Sequence, residues 1–282
     1  RGVASSQAFA RRFGNKTPDI VTDPERKGEV FEWLARDLQK GMKAFIQQAG
    51  KEDTILGCFY EFRFEPVAKL FKEAVSRGAN VQLIIDAKKN EEQFPRKDNL
   101  KILKNVGIPK ARIIVREARP NAIQHNKFMI FLKGKSQEPM AVWTGSTNIS
   151  EGGIFGQTNV GHWIRNKQVA RKFKEYWNLL SKDPGGKTGD TNKVKREKNT
   201  SFKEAVTRIQ EDIQPEKIQN VPEGITAFFS PRTTDTMLQT YAALLDSAQD
   251  YAAITLAFGI NNVFKKILVD NTTKDHITFM LL

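Results

Sequence analysis

The sequence predicts an α/β layered fold, and three observations predict it. Amphipathic helices and short apolar strands alternate from residue 29 to residue 115. A strand, a polar turn with one glycine and a second strand follow over residues 128–144. Past residue 223 the order helix, strand, helix, strand returns, with Ala257-Phe258 standing where Cys58-Phe59 stood, at an offset of roughly 200 residues.

Taken in order, residues 1–28 are polar, with Arg11, Arg12, Gly14, Pro18 and Pro24, and read as an N-terminal arm. Residues 29–49 carry Phe31, Leu34, Leu38, Met42 and Phe45 at helical spacing, which predicts one helix with a core-facing stripe. Strands are expected at 54–60, 80–86 and 113–115, and helices at 66–77 and 98–106, closed by Gly78 and Gly107. After the hairpin, residues 148–157 read as a glycine-containing loop and 158–165 as a strand. Residues 168–180 form a helix whose Val169, Phe173, Tyr176, Trp177 and Leu180 close a first unit over 29–182. Residues 183–222 hold Pro184-Gly185-Gly186, Gly189 and many lysines, and read as a linker with a basic helix at 201–213. In the last stretch, 223–282, strands are expected at 225–229, 251–258 and 276–282, and helices at 235–249 and 262–269.

The 282 residues carry 45 Lys and Arg against 32 Asp and Glu, a formal charge of +13, and the pI is near 9.7. That balance suits a polyanion: nucleic acid, an anionic lipid surface or a phosphorylated substrate. The single cysteine, Cys58, excludes an intramolecular disulfide and reads as a small core residue. His125, His162 and His276 are too scattered for a motif-based metal site. No run is apolar and long enough for a transmembrane helix, and no signal peptide is visible, which favours the cytoplasm.

The chemistry concentrates in the hairpin. His125-Asn126-Lys127 leads into its first strand, and its second strand runs into Gly145-Ser146-Thr147-Asn148. Alternate strand residues share a face, so His125 and Lys127 point the same way, and the hairpin returns the second strand's end to the first strand's start. An imidazole, an ammonium, a hydroxyl and an amide then meet in one pocket. A neutral imidazole can attack phosphorus, and a nearby ammonium can stabilise the charge on the phosphoryl oxygens. Ser146 and Asn148 can hold phosphate oxygens or orient the histidine, and Gly145 allows close backbone approach. Glu151 either receives a hydrogen bond from the imidazole and sets its tautomer or caps the next turn. His162 reads as structural, Trp143 as core, and Phe155 as a candidate substrate contact.

This pairing of H-x-K with G-S-x-N resembles the phospholipase D superfamily, and the resemblance extends from Thr54 to about Leu180. It implies a mixed β-sheet sandwiched between helices, and a metal-independent, cofactor-free phosphodiesterase acting through a phosphohistidine. Carried over by position, His125 and Lys127 are the catalytic pair, while Gly145, Ser146 and Asn148 bind or orient the phosphate. The family motif continues H-x-K-x4-D, and here Leu132 stands at the aspartate position. The family also presents two such motifs across a pseudo-two-fold axis, the second histidine serving as general acid. His276 does not supply it, because Thr278 stands where the lysine belongs. Repeat spacing puts a second H-x-K roughly 40 residues beyond Leu282, so the sequence reads as a fragment of a two-repeat protein, with 223–282 an incomplete second repeat. A single-motif chain completes such a site by two-fold dimerisation. Nucleic acid and phospholipid both stay open as substrates. A non-catalytic phosphate- or nucleic-acid-binding module and a scaffold half pairing with another chain are the competing readings.

Overall fold

The computed structural model describes residues 7–14, 24–86, 95–118, 125–256, 259–269 and 277–281. Its contacts divide the chain into two compact units, residues 1–199 and residues 200–282.

The first unit is built on a six-stranded mixed sheet in the order β3-β2-β1-β4-β5-β6. Its strands are β1 (Thr54–Phe59), β2 (Asn80–Asp86), β3 (Ile113–Arg116), β4 (Lys127–Lys133), β5 (Glu138–Gly145) and β6 (Gly161–Ile164). β1, β2 and β3 run parallel, joined by the crossover helices α4 (Glu65–Ser76) and α5 (Arg96–Val106). β4 lies antiparallel beside β1, and β5 and β6 continue as a meander. β1 is buried at all six positions, as expected for a central strand covered on both faces. Ile55, Phe59, Leu83, Ile85, Met129 and Trp143 face α4 and α3 (Leu38–Gln47) and share a core with Met42, Phe45, Val67 and Phe71. The opposite face meets α6 (Lys167–Ser181): Phe128 packs on Phe173 and Tyr176, and Trp177 donates from Nε1 to the Gly57 carbonyl at 2.9 Å. The mixed sheet between helices is therefore present.

Three expectations in this unit need correction. The N-terminal arm contains a helix, α1 (Gln7–Phe13), because Phe9 and Phe13 bury themselves against Val30 and Leu34. The single helix over 29–49 is two, α2 (Pro24–Ala35) and α3, broken at Arg36, whose φ of 51° is left-handed. The break has a packing cause: Val30 and Leu34 pack on α1, whereas Met42, Phe45 and Ile46 pack on the sheet, and one straight helix cannot serve both. The loop after the hairpin contains a short helical turn at Gly152–Gly156 that buries Ile154.

The segment 183–191 is pinned rather than free. Buried Arg116 donates to the carbonyls of Leu180 (3.0 Å) and Pro184 (3.1 Å), and Asp183 accepts the amides of Glu117 and Ala118. The basic helix starts earlier than expected, as α7 (Asn192–Ile209), and the division between the units falls inside it. Thr191 caps its start by accepting the Val194 amide, and its lysines, arginines and glutamates are good helix formers.

The second unit holds α8 (Thr236–Asp246), β7 (Tyr251–Thr255), α9 (Asn262–Val269) and β8 (Ile277–Leu281). β7 and β8 pair in parallel. The strand expected at 225–229 is irregular: the Phe229 carbonyl accepts Arg232, and no strand partner lies beside it among the described residues. Ala257, Phe258 and His276 lie outside the described residues.

Candidate functional site

β1, β2, β3 and β5 all end at the edge of the sheet where β4 begins, the edge at which open α/β sheets place their ligands. Phe59 pairs with Lys127, and the Tyr60 amide carries the pairing one step further by donating to the Asn126 carbonyl at 2.8 Å. The Tyr60 ring then meets the His125 imidazole edge to face, with centroids 4.7 Å apart. Lys127 is only 8% exposed. Its Nζ donates to the His125 carbonyl at 3.1 Å and stands 5.5 Å from the centre of the Tyr60 ring. Tyr60 is itself held by Asn99, fully buried on α5. Asn99 Nδ2 donates to the carbonyls of Tyr60 (2.7 Å) and Asp86 (3.4 Å), and its Oδ1 accepts the Phe62 amide at 2.6 Å.

The Gly145–Asn148 segment is stitched to two neighbours. Ser146 donates its amide to the Val160 carbonyl (3.1 Å) and accepts the Val160 amide at Oγ (3.0 Å), while Thr147 Oγ1 donates to the same carbonyl (2.9 Å). This leaves the Ser146 hydroxyl proton available to a ligand, and the residue is exposed. A Cβ on Gly145 would stand 2.1 Å from the Val160 carbonyl oxygen, so here glycine serves chain-on-chain approach. Beyond Asn148, the Ile149 amide donates to Glu61, and the Ile149 carbonyl accepts the amides of Arg63 and Phe64. Asn148 thus sits next to the residue tied to the end of β1, and its Oδ1 is buried without a hydrogen-bond partner.

Burial, joined by the charge of Lys127, lowers the pKa of His125 below its ordinary value near 6.5, with Glu61 pulling the other way. The imidazole is thereby kept neutral, the form that can act as a nucleophile. Burial also brings Lys127 down to about 8, again opposed by Glu61. The carboxylate whose charge reaches both groups is therefore Glu61. Glu151 is exposed, lines a cleft with α2 and α3, and makes no hydrogen bond to His125. Tyr60, Glu61 and Asn99 are absent from the sequence-derived site. For Glu61 a signal existed, since it is an acidic residue immediately past an apolar central strand.

Trp143 is core, packed between Gly41, Gly161 and Phe45, and Cys58 is buried with its thiol pushed up to about 12. His162 is exposed on β6, and Phe155 packs on Phe31 and Phe64. Leu132 is buried at the far end of β4, five positions from Lys127 or about 17 Å along the strand. It faces Thr54 across the ladder, and the Thr54 hydroxyl is buried there without a partner. The departure from the motif thus falls far from His125. Among the described residues no group of three or more His, Cys, Asp or Glu could hold a metal ion, and no helix is long and apolar enough to cross a membrane.

A family model described as cardiolipin synthase, PLD-like domain, matches residues 42–180. Among solved structures, NucT from Helicobacter pylori is similar at 18% identity and a TM-score of 0.44, over 54% of this chain and 91% of that one. Nuc from Salmonella typhimurium, a phospholipase D family member, is similar at 23% identity and a TM-score of 0.40, over 50% of this chain and 84% of its own. No curated protein matches the chain. The matched domain covers the strands and turns that carry His125, Lys127, Ser146 and Asn148, and residues 42–180 form a domain of the phospholipase D superfamily.

Proposed function

We propose that this protein cleaves phosphodiesters of nucleic acid or phospholipid through a covalent phosphohistidine at His125, with no metal in the chemical step. The observation that carries the reading is the buried Lys127 ammonium beside a neutral imidazole, a positive charge that an incoming phosphate would complement. An imidazole nitrogen of His125 attacks phosphorus and the bond to the leaving oxygen breaks. That oxygen takes a proton from a second histidine, supplied by a second motif or by a two-fold-related copy. Water then attacks phosphorus, frees His125 and releases the phosphomonoester. The Ser146 hydroxyl donates to a phosphate oxygen, and the unpaired Asn148 Oδ1 accepts from a donor brought in with the substrate or from the histidine.

Residues 223–282 fit as part of a second such unit: α8, β7, α9 and β8 follow the order of α3, β1, α4 and β2, and in both the strands are parallel. The test is hydrolysis of bis(p-nitrophenyl) phosphate with EDTA present, alone and in a version extended beyond residue 282. EDTA-resistant turnover that falls on the order of a thousandfold or more in His125→Ala is expected. Turnover that survives His125→Ala, or vanishes with EDTA, overturns the reading. No turnover in either version, with phosphate-dependent binding intact, favours a binding module on the same fold.

A further inference from the structure

α2 has two working faces. Val30 and Leu34 pack on α1, and Phe31 and Ala35 turn the other way into a cleft of roughly 650 Å³ shared with α3 and the turn after Asn148. Aromatic rings line it: Phe155 packs on Phe31 (centroids 4.7 Å apart) and on Phe64 (5.6 Å). Arg36, Lys40 and Lys43 supply the cations of its lining. Among the described residues neither Lys40 nor Lys43 has an ion-pair partner, and the Arg36 guanidinium is placed 3.9 Å over the Trp33 ring. The cleft adjoins the candidate site: Phe64 donates its amide to Ile149, the residue after Asn148, and Glu151 lies two positions further on. Much of it lies outside the matched family domain, because α2 precedes residue 42.

We infer that this cleft is a subsite for single-stranded nucleic acid, seating an unstacked base against Phe31 and Phe155 and the backbone phosphates at Lys40 and Lys43. Aromatic faces with lysines beside them are the combination that binds single strands, whereas a duplex keeps its bases stacked on one another and offers none to the rings. The cleft's two carboxylates, Glu32 and Glu151, suit the amino groups of bases and give an acyl chain no partner. The inference uses the proposed phosphodiesterase reading only in calling the bound strand a substrate; binding itself stands apart from catalysis.

The test is fluorescence anisotropy with a labelled oligo(dC) of about 12 nucleotides, the length of a typical single-strand site. A duplex of equal length and phosphatidylserine/phosphatidylcholine vesicles serve as competitors. Lys40→Glu with Lys43→Glu is compared with Lys101→Glu with Lys104→Glu, an equal charge change on exposed positions of α5. The cleft pair is expected to weaken oligo(dC) binding roughly tenfold or more, and the α5 pair by about twofold or less. Phe31→Ala is expected to weaken it by roughly fivefold or more with unchanged salt dependence, as loss of stacking requires. Equal losses in the two charge pairs, or no loss in Phe31→Ala, would reduce the cleft to general electrostatics and overturn the inference. So would vesicles or duplex displacing oligo(dC) more effectively than unlabelled single strand. Loss of diester hydrolysis in His125→Ala with cleft-dependent binding intact separates the two readings, since it bears only on catalysis.

Discussion

The two ends of the β4–β5 hairpin treat buried charge in opposite ways. At the turn, Asp53 is buried, and its carboxylate accepts the amides of Gly50 (3.1 Å) and Gly134 (2.9 Å) and Lys133 Nζ (3.1 Å). Burial works to raise its pKa, but the amides of Gly134 and Gly50 and the lysine outweigh it and hold Asp53 below the usual value of 3.8. At the other end Lys127 is nearly as buried, yet among the described residues it has no carboxylate in ion-pair contact, and Asn148 Oδ1 has no partner at all. Polar groups are satisfied where the hairpin must hold its shape and left wanting an anion and a donor at the end proposed to bind substrate. A fold tolerates such local inconsistency mainly at sites of function.

After His125→Ala, the largest effect should come from Lys127→Met, which removes the uncompensated charge at roughly constant volume. Turnover of the small diester is expected to fall by about a hundredfold or more, equivalent to about 3 kcal/mol of transition-state stabilisation. The native pH profile should rise through the His125 pKa, below 6.5, and fall as Lys127 deprotonates near 8. Stability should move the other way. Between about 8 and 10.5 the unfolded chain holds the Lys127 proton and the folded one does not, so the native protein gains stability with rising pH in that window. Lys127→Met should flatten that slope and melt higher at pH 7. A variant that loses stability at pH 7 would mean that the ammonium is already compensated.

Asp53→Ala probes the turn and should act on stability alone, costing about 2–3 kcal/mol by stranding the amides of Gly50 and Gly134. Because the folded pKa of Asp53 is depressed, its contribution is complete above about 3.8 and is lost as pH falls through the folded value. Acid unfolding of the variant should therefore show a shallower limb below pH 4. Diester turnover measured well below the melting temperature should stay within about twofold of native. A large loss of turnover would show that the two ends of the hairpin are coupled.

The legibility of the molecule in its sequence follows the same division. β1 and β4 are predominantly apolar runs, β2 is one interrupted by Gln82, and the helices crossing them have clear stripes, so the layered fold was readable without long-range information. That His125, Lys127, Ser146 and Asn148 flank one end of a hairpin was readable, because strand alternation and one hairpin are local rules. Glu61, Tyr60 and Asn99 were not, since their roles depend on β1 lying beside β4 and on α5 reaching over the strand ends, contacts between residues 37 and 39 positions apart for Asn99 alone. The break at Arg36 was hidden for a related reason: two helices with two different cores can share one periodic pattern. The structure of α1 escaped because its two buried phenylalanines find their partners in α2, not in their own neighbourhood.

The smallest effect concerns the second orphaned polar atom, at the turn end. Thr54 and Leu132 face each other across the ladder, so their side chains share a face a few ångströms apart. Leu132 occupies the position where the related motif carries aspartate, and it offers the buried Thr54 hydroxyl nothing to bond. Thr54→Val keeps the shape and removes the stranded hydroxyl. It is therefore expected to stabilise the protein by about 1 kcal/mol in denaturant unfolding, with turnover unchanged. Asn148→Ala removes the matching orphan at the reactive end and should gain comparable stability at the expense of roughly tenfold or more in turnover. If both substitutions leave turnover intact, Asn148 Oδ1 is a packing defect like Thr54 Oγ1, and the distinction between the two ends rests on Lys127 and His125 alone.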